Sequence, residues 1–228
     1  MADRTTLYQY PLCPYCRTVR LALFEKGVSY SMVFIAPNSQ NPSFLRINPT
    51  GALPTLVEVD GYVLSDSQAI LEYLNELKPY PDLLGETPRG RAEVRRLIGW
   101  FDKAFYQEVY RPLFLEKVMK LLKREEPDAK LLRAGRMNLN RHLAYVDWLA
   151  GRKNYLAGRY MSYADLVAAA HVSTLDYLGE ISWESYPEAA AWYAKIKSRP
   201  SFESVLKDRL TGIPPADGYA SLDFLGGV

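Results

Sequence analysis

The chain has 228 residues, of which 48% are hydrophobic and 24% are charged, and its formal net charge is +2 at pH 7. This composition is typical of a globular protein with one large or two small domains, and it argues against a dedicated nucleic-acid binder. No run approaches the ~18 apolar residues of a membrane span, and the first residues lack the apolar core of a signal peptide, so we expect a cytoplasmic protein without membrane insertion.

The first 80 residues alternate strand-like and helix-like patterns, which predicts βαβ units. The predicted strands are Leu7–Tyr10, Tyr30–Ile35, Thr55–Val59 and Tyr62–Leu64. The predicted helices cover residues 17–26 and 42–48, and a third, which Ser65-Asp66-Ser67 can cap, runs through Leu77. The last two strands flank Asp60-Gly61, a strong signal for a two-residue hairpin. Pro79-Tyr80-Pro81 is typical of a linker. We therefore expect a three-layer α/β domain over residues 1–80.

Two cysteines lie between the first predicted strand and the first predicted helix, in the sequence Cys13-Pro14-Tyr15-Cys16. A helix N-terminus carries unpaired N–H groups and about half a positive charge, and both stabilise a thiolate. This stabilisation of the thiolate is greatest for Cys13, which lies at the predicted N-cap. Cys16 is placed to resolve a mixed disulfide. This motif predicts a thioredoxin-like redox or thiol-binding site, with simple packing of the turn as the alternative. Zinc is disfavoured because two cysteines need two further ligands.

Two further motifs point to a ligand with a peptide backbone. Gly51–Pro54 comes directly before a predicted strand, and a cis bond at Pro54 would expose the backbone N–H and C=O of Leu53. Asp66-Ser67 begins a predicted helix, whose terminal N–H groups bind a carboxylate. A thiol, a backbone edge and an anion site together predict a site for a small thiol peptide.

From residue 89 onward the pattern is helical. Apolar residues mark one face of a long helix, which we expect Arg111-Pro112 to interrupt. Further helices are predicted over residues 128–150, 166–178 and 187–198. The second of these follows a capping box, Ser162 to Asp165, and is apolar on nearly all sides, so we expect it to be buried. This pattern predicts an all-helical domain over residues 89–210 and an extended tail over residues 211–228.

The charge of the helical region is uneven. Residues 89–136 contain thirteen basic and seven acidic residues, a net charge of +6. Such a stretch is either a solvated helix surface or a face for an acidic partner. The candidate partner contacts are Arg124 and Arg133 in this stretch, and Tyr219, Leu222 and Phe224 in the tail. The tail residues either bind a partner or pack on their own domain.

The two histidines and several tyrosines have less specific roles. We expect His142 at the surface or at an interface, with a partner contact as the alternative reading. His171 lies inside the predicted buried helix and is expected in the core. Four tyrosines are candidates for lining a hydrophobic substrate cleft, namely Tyr8, Tyr15, Tyr106 and Tyr110.

The order of these motifs resembles the glutathione S-transferase family across nearly the whole chain. The family fold is a thioredoxin-like α/β domain that binds glutathione, followed by an all-α domain, and its chains are usually homodimers. The resemblance implies that Cys13 takes the position of the catalytic Ser or Cys. It also implies that Leu53 and Pro54 hold the cysteinyl backbone of glutathione, and that Asp66 and Ser67 hold its γ-glutamyl end. The family commonly has Glu at the position of Asp66.

Residues 168–179 and 208–224 resemble an alphaproteobacterial cell-division branch of this family, whose members bind filaments of the tubulin-like protein FtsZ. This resemblance implies a cytoplasmic protein at the division site, which binds FtsZ through the basic surface of residues 111–136 and the tail. One alternative is an active transferase that conjugates or reduces small hydrophobic electrophiles through Cys13. Another is a glutaredoxin-like oxidoreductase that cycles Cys13 and Cys16.

Overall fold

The structure, a computed structural model, describes residues 4–37 and 39–223. A four-stranded sheet is formed by β1 (Thr5–Gln9), β2 (Tyr30–Phe34), β3 (Thr55–Val57) and β4 (Val63–Ser65), in the order β2-β1-β3-β4. The helices of this part are α1 (Pro14–Glu25), α2 (Pro42–Ile47) and α3 (Ser67–Leu77). Strand β1 is parallel to β2 and antiparallel to β3, and β3 is antiparallel to β4. The predicted βαβ unit and the helix after the hairpin are confirmed. The hairpin also forms, but the prediction of a two-residue loop is wrong, because β3 ends at Val57 and β4 begins only at Val63.

The sheet is covered on both faces. Leu7 and Tyr8 of β1 point to opposite faces, because side chains alternate along a strand. Leu7 is fully buried in a core that includes Val19 of α1 and Ile70 of α3. The ring of Tyr8 stacks on Phe44 of α2, with ring centroids 5.4 Å apart. Helices α1 and α3 therefore cover one face and α2 covers the other, as the three-layer prediction required.

The longest element is a helical rod over residues 88–123, here named α4. It consists of five consecutive segments, Pro88–Gly99, Trp100–Tyr110, Arg111–Phe114, Leu115–Met119 and Lys120–Lys123. The second and fourth segments have the wider π-helical winding, in which an N–H bonds five residues back. The backbone stays right-handed helical at Arg111 and at Leu115. The prediction that Arg111-Pro112 interrupts the helix is therefore wrong. Pro112 lies in the first turn of a new α-helical segment, where a residue without an N–H is tolerated.

Four α-helices follow the rod within the described residues: α5 (Ala129–Ala150), α6 (Tyr163–Tyr177), α7 (Pro187–Lys197) and α8 (Glu203–Leu206). Two short 3-10 helices, Trp183–Ser185 and Pro200–Phe202, precede α7 and α8. Helix α6 is buried along its whole length, as predicted. Its capping box is present, because an Asp165 oxygen accepts the Ser162 N–H at 2.9 Å. The other oxygen accepts the N–H of Leu156 at 2.8 Å. Within the described residues, no helix is both long and apolar enough to cross a bilayer.

Buried ion pairs join α1 to the helical part. Arg17 and Arg20, both on α1 and both buried, lie 3.3 and 2.8 Å from the carboxylate of Asp208. At the other end of α1, Glu25 accepts two hydrogen bonds of 2.7 Å from Arg199. These pairs fix the orientation of α1 against the helices. The turn that begins α1 is therefore held in place against the rod.

The start of the tail packs on the helical part. The hydroxyl of Tyr177 donates a hydrogen bond of 2.6 Å to the carbonyl of Ile213. The ring of Tyr219 is 3% exposed and meets the ring of Tyr177 edge-on, with centroids 5.2 Å apart. For Tyr219, the alternative of packing on its own domain is therefore the one observed. Leu222 is 47% exposed, and Phe224 lies outside the described residues.

Candidate functional site

Cys13 and Tyr15 of the predicted thiol motif line a cavity of about 500 Å³ between the sheet and the rod. Cys13 is half-buried at the N-cap of α1, and Pro14 begins the helix. Cys16 is fully buried, and its Sγ accepts a weak hydrogen bond of 3.5 Å from the Tyr10 N–H. Both cysteines are free thiols. No group of three or more His, Cys, Asp or Glu side chains in residues 4–37 and 39–223 is placed to hold a metal ion.

The two thiols differ in acidity. The pKa of Cys13 is lowered, chiefly because the Cys16 thiol donates a hydrogen bond to its thiolate. The N–H groups of Tyr15 and Cys16 and the charge of Arg17 act in the same direction, against the effect of burial. Burial and the neighbouring Cys13 raise the pKa of Cys16 well above its usual range. Cys13 is therefore the thiol that ionises first, which agrees with its predicted position at the helix N-terminus.

A ladder of aromatic rings forms one wall of the cavity. Ring centroids are 4.9 Å apart for Tyr15 and Tyr106, 5.1 Å for Tyr106 and Tyr110, and 5.0 Å for Tyr110 and Phe114. The last three rings follow the rod at spacings of four residues. Three of the four candidate cleft tyrosines thus line the cavity, whereas Tyr8 stacks on α2 instead.

The opposite wall comes from the loop before β3. The Leu53–Pro54 peptide bond is cis, as the sequence predicted. Leu53 lines the cavity together with Gly51 and Ala52. The backbone N–H and C=O of Leu53 form no hydrogen bond within the described residues, so both groups are available to a ligand with a peptide backbone.

Asp66 and Ser67 lie in a second cavity of about 340 Å³. This cavity shares Tyr15, Ala52 and Leu53 with the first, so the two cavities adjoin. Asp66 is the N-cap of α3 with φ +79°, and its carboxylate accepts the Ala69 N–H at 3.0 Å. The Ser67 hydroxyl makes no hydrogen bond in the part of the chain that the structure describes. The residues that the resemblance assigned to the γ-glutamyl end of glutathione therefore adjoin the residues assigned to the cysteinyl backbone of glutathione.

A histidine and an aspartate lie beneath the aromatic wall. The buried His171 places its Nε2 3.0 Å from an Asp102 carboxylate oxygen. The Tyr15 hydroxyl donates a hydrogen bond of 2.8 Å to the Asp102 carbonyl. The prediction that His171 lies in the core is confirmed. Sequence reasoning missed Asp102, because its partners are 69 and 87 residues away and no local pattern marks it.

His142 is buried, with 4% of its surface exposed. Its ring packs on Trp100 with centroids 4.9 Å apart, and its Nε2 lies 2.9 Å from a Glu108 carboxylate oxygen. The prediction that His142 lies at the surface is wrong, because this side of α5 faces the rod. The buried ring cannot make the partner contact that we assigned to it without leaving the core. Burial also lowers the pKa of His142.

The end of α4 and the start of α5 form an exposed surface, here named the tip surface. Its apolar members are Leu121, Leu122 and Leu131, which are 56%, 48% and 47% exposed. Its basic members are Lys123, Arg124, Lys130 and Arg133, all exposed. None of these four cations forms an ion pair with another described residue. A 2.6 Å hydrogen bond from the Asp128 N–H to Glu116 fixes the turn between the two helices. Two candidate contacts, Arg124 and Arg133, thus share a surface with apolar side chains.

Comparison with known proteins agrees with this architecture. Residues 7–85 and 114–209 match the family models of the glutathione S-transferase N-terminal and C-terminal domains. FtsZ-localized protein A of Caulobacter vibrioides is 43% identical over an alignment 228 residues long, which covers 98% of this chain and 100% of that protein.

Solved structures give the same result. A glutathione S-transferase from Rhodospirillum rubrum F11 superposes with a TM-score of 0.94 at 47% identity, over 96% of this chain and 100% of that one. FzlA from C. crescentus superposes with a TM-score of 0.94 at 44% identity, over 97% and 100%. The sheet order, the cis Leu53–Pro54 bond and the thiol at the start of α1 are thus found in a chain that belongs to the glutathione S-transferase family.

Proposed function

We propose that this chain is a glutathione S-transferase-like cell-division protein that binds FtsZ filaments and regulates constriction. The observation that carries this proposal is the 43% identity, over nearly the full length, to a protein named for its localisation with FtsZ. We place the chain in the cytoplasm at the division site, as a homodimer with domains over about residues 1–80 and 89–210.

The tip surface is the proposed contact with the filament. Buried apolar anchors supply most of the energy of an interface, and surrounding charges guide association. Leu121, Leu122 and Leu131 provide such anchors, and the unpaired cations around them, including Arg124 and Arg133, suit an acidic partner. The +6 charge of residues 89–136 favours the same partner.

The tail extends the proposed contact. Tyr219 packs in one cluster with Phe114 and Val118 of the rod, so this part of the tail lies beside the second half of α4. The exposed Leu222 follows three residues later, and Phe224 comes two residues after it. We propose that Leu222 and Phe224 contact the filament, whereas Tyr219 anchors the tail to its own domain.

Co-sedimentation with assembled FtsZ filaments tests this surface. A double variant, Lys130→Glu with Arg133→Glu, is compared with a control that reverses the same number of charges at exposed positions elsewhere, Arg152→Glu with Arg159→Glu. We expect the first variant to bind at least about tenfold more weakly, because two attractive contacts become repulsive, and the control to bind like the native chain. If both variants unfold at the native temperature and bind filaments equally well, the tip surface is excluded as the contact with the filament.

A second candidate function is glutathione chemistry at Cys13, because Cys13 lines one cavity, Asp66 and Ser67 line an adjoining one, and Leu53 lines both. Glutathione supplies a second thiol when it is bound. Leu53 would pair its free backbone groups with the cysteinyl unit, and Asp66 and Ser67 would hold the γ-glutamyl end. The acidic Cys13 would act on a small hydrophobic electrophile or on a disulfide, and a glutaredoxin-like cycle would in addition use Cys16.

Titration calorimetry with glutathione tests this second candidate. We expect saturable binding by the native chain and weaker binding by Ser67→Ala, because the variant lacks a hydroxyl that is free to bind an anion. Absence of measurable heat at millimolar glutathione would contradict the proposed site. Turnover of a glutathione mixed disulfide that survives Cys16→Ser would exclude the cycle that needs both cysteines.

A further inference from the structure

A cavity of about 570 Å³, here named the linker cavity, lies between the linker of residues 80–87 and the loop of residues 157–162. Its volume is within the range of binding sites for ligands. None of the described residues that line the cavity beside Cys13 also lines this one. Much of its lining is apolar and comes from Pro81, Leu83, Val94, Ala157 and Met161.

Hydrogen bonds hold the linker wall of this cavity in place. The ammonium group of Lys26 donates a hydrogen bond of 2.6 Å to the carbonyl of Pro81. The N–H of Tyr163 donates one of 2.8 Å to the carbonyl of Leu83, which joins the linker to the residue that follows the loop. A cavity that is already formed loses little conformational freedom when a ligand binds.

The rim of the linker cavity carries two exposed tyrosines. Tyr80 of the linker is 86% exposed, and Tyr160 of the loop is 68% exposed. Tyrosine is enriched at protein interfaces, where its ring anchors a partner. The N–H groups of Arg159, Tyr160 and Met161 form no hydrogen bond within the described residues. Unpaired N–H groups beside an apolar cavity suit a peptide, which brings both carbonyl oxygens and apolar side chains.

An adjoining depression is basic. It shares Gly158 and Arg159 with the linker cavity and is also lined by Arg152 and Lys153. Its described lining contains these three cations and no carboxylate. Lys153 lies 3.3 Å from Glu93, whereas Arg152 and Arg159 form no ion pair with another described residue. The basic depression, defined by Arg152, Lys153 and Arg159, therefore favours an acidic partner.

Two of the three carboxylates that line the linker cavity have partners already. Glu25 accepts two hydrogen bonds of 2.7 Å from Arg199. Asp82 accepts two backbone N–H groups, at 3.0 and 3.1 Å. Glu86 is exposed and pairs with no cation among the described residues. The acidic part of a partner is thus favoured at the basic depression and disfavoured beside Glu86.

We propose that the linker cavity and the basic depression together bind an acidic peptide segment of a partner protein. A bulky apolar side chain of the peptide fills the cavity between Tyr80 and Tyr160. The peptide backbone accepts hydrogen bonds from the N–H groups of residues 159–161, and its carboxylates lie on the basic depression. This site shares no residue with the tip surface, so the interaction is additional to filament binding.

Selection from a phage-displayed library of random peptides on the native chain tests the proposal. We expect the enriched peptides to combine Asp or Glu with a bulky apolar residue and to contain few Lys or Arg. The most enriched peptide is then synthesised with a fluorescent label, and fluorescence polarisation gives its dissociation constant. Replacing its acidic residues by the corresponding amides, or its bulky residue by alanine, should weaken binding.

Variants of the chain locate the site. Arg152→Glu with Arg159→Glu should weaken peptide binding by at least about tenfold, because two attractive contacts become repulsive. Tyr160→Ala should weaken it by at least about fivefold, because an aromatic anchor is lost. Lys130→Glu with Arg133→Glu, at the tip surface, is the matched control and should leave it unchanged. Thermal unfolding checks that each variant is folded.

Several results would overturn the proposal. The library could enrich no peptide or only basic peptides, or the enriched peptide could bind Arg152→Glu with Arg159→Glu like the native chain. Binding that depends on the acidic residues but not on the bulky residue would show a site for anions only. A changed oligomeric state of Tyr160→Ala, measured by analytical ultracentrifugation, would make a second copy of this chain the occupant. None of these results bears on co-sedimentation of the native chain with filaments, so the two proposals fail separately.

Discussion

Arg20 donates hydrogen bonds of 2.9 and 2.8 Å to the two carboxylate oxygens of Asp208. The arginine is 1% exposed and belongs to α1, whereas the aspartate comes from the segment after α8. Arg17, which is fully buried, lies 3.3 Å from the same carboxylate. Asp208 therefore compensates two buried cations and connects the helix that begins at Cys13 to the helical part of the protein.

Asp208→Asn should be strongly destabilising. The variant leaves Arg17 and Arg20 buried without a countercharge, and breaking a buried ion pair in this way costs about 3 to 5 kcal/mol. Urea denaturation followed by circular dichroism measures the free energy of unfolding. Asp217→Asn, at an exposed aspartate of the tail, is the matched control and should change the free energy of unfolding by less than about 0.5 kcal/mol. Equal effects of the two variants would contradict the bridging role of Asp208.

Alkylation at graded pH should label Cys13 before Cys16. The pKa of Cys13 is lowered chiefly by the Cys16 thiol, so Cys16→Ala should move the alkylation profile of Cys13 to higher pH. Cys16→Ser keeps a donor and should move the profile less. Iodoacetamide labelling read by mass spectrometry separates the two sites. Faster labelling of Cys16, or a Cys13 profile that Cys16→Ala leaves unmoved, would contradict this assignment.

Substitutions at Tyr219 and Leu222 should distinguish a loss of stability from a loss of filament binding. Tyr219→Ala removes a buried ring, and by analogy with other buried aromatic residues it should cost about 3 to 5 kcal/mol. Leu222→Ala, at a side chain that is 47% exposed, should change the free energy of unfolding by less than about 0.5 kcal/mol but weaken filament binding. Thermal unfolding and co-sedimentation of both variants give the comparison. A loss of stability in Leu222→Ala would show that this residue only packs.

Stability should decrease at mildly acidic pH because of His142. Burial lowers its pKa below the ordinary value of 6.5, so the unfolded chain binds this proton more readily than the folded chain. The free energy of unfolding therefore has its full value above pH 6.5 and falls as the pH decreases through the folded-state pKa. Glu108 and Arg141 are the charged groups that affect this histidine. His142→Gln should flatten the slope between pH 6.5 and 5, measured by urea denaturation, and an unchanged slope would assign the effect to other groups.

Local motifs allowed much of the site to be predicted from sequence. The cap at Asp66, the capping box that Ser162 begins and the thiol at the start of α1 each depend on residues within a few positions of one another. The cis bond at Pro54 likewise follows from a short motif before a strand. Such features depend only on residues that are close together in the chain, so a single sequence is enough to predict them.

Features that depend on distant residues could not be predicted. The burial of His142 depends on which side of α5 meets the rod, and its partner Glu108 is 34 residues away. The ion pair of Arg20 with Asp208 spans 188 residues. The continuity of α4 through Pro112 depends on a π-helical winding that periodicity does not reveal. In each case tertiary packing decided the outcome.

Sedimentation of the native chain with FtsZ, assembled and unassembled, is the most direct test of filament binding. We expect the chain to enter the pellet with assembled filaments and to stay in the supernatant with unassembled FtsZ. Binding should weaken as salt increases, because the proposed contact includes unpaired surface cations. A chain that stays in the supernatant with assembled filaments at low salt, while the same preparation turns over glutathione with an electrophile, would contradict filament binding and establish the enzyme instead.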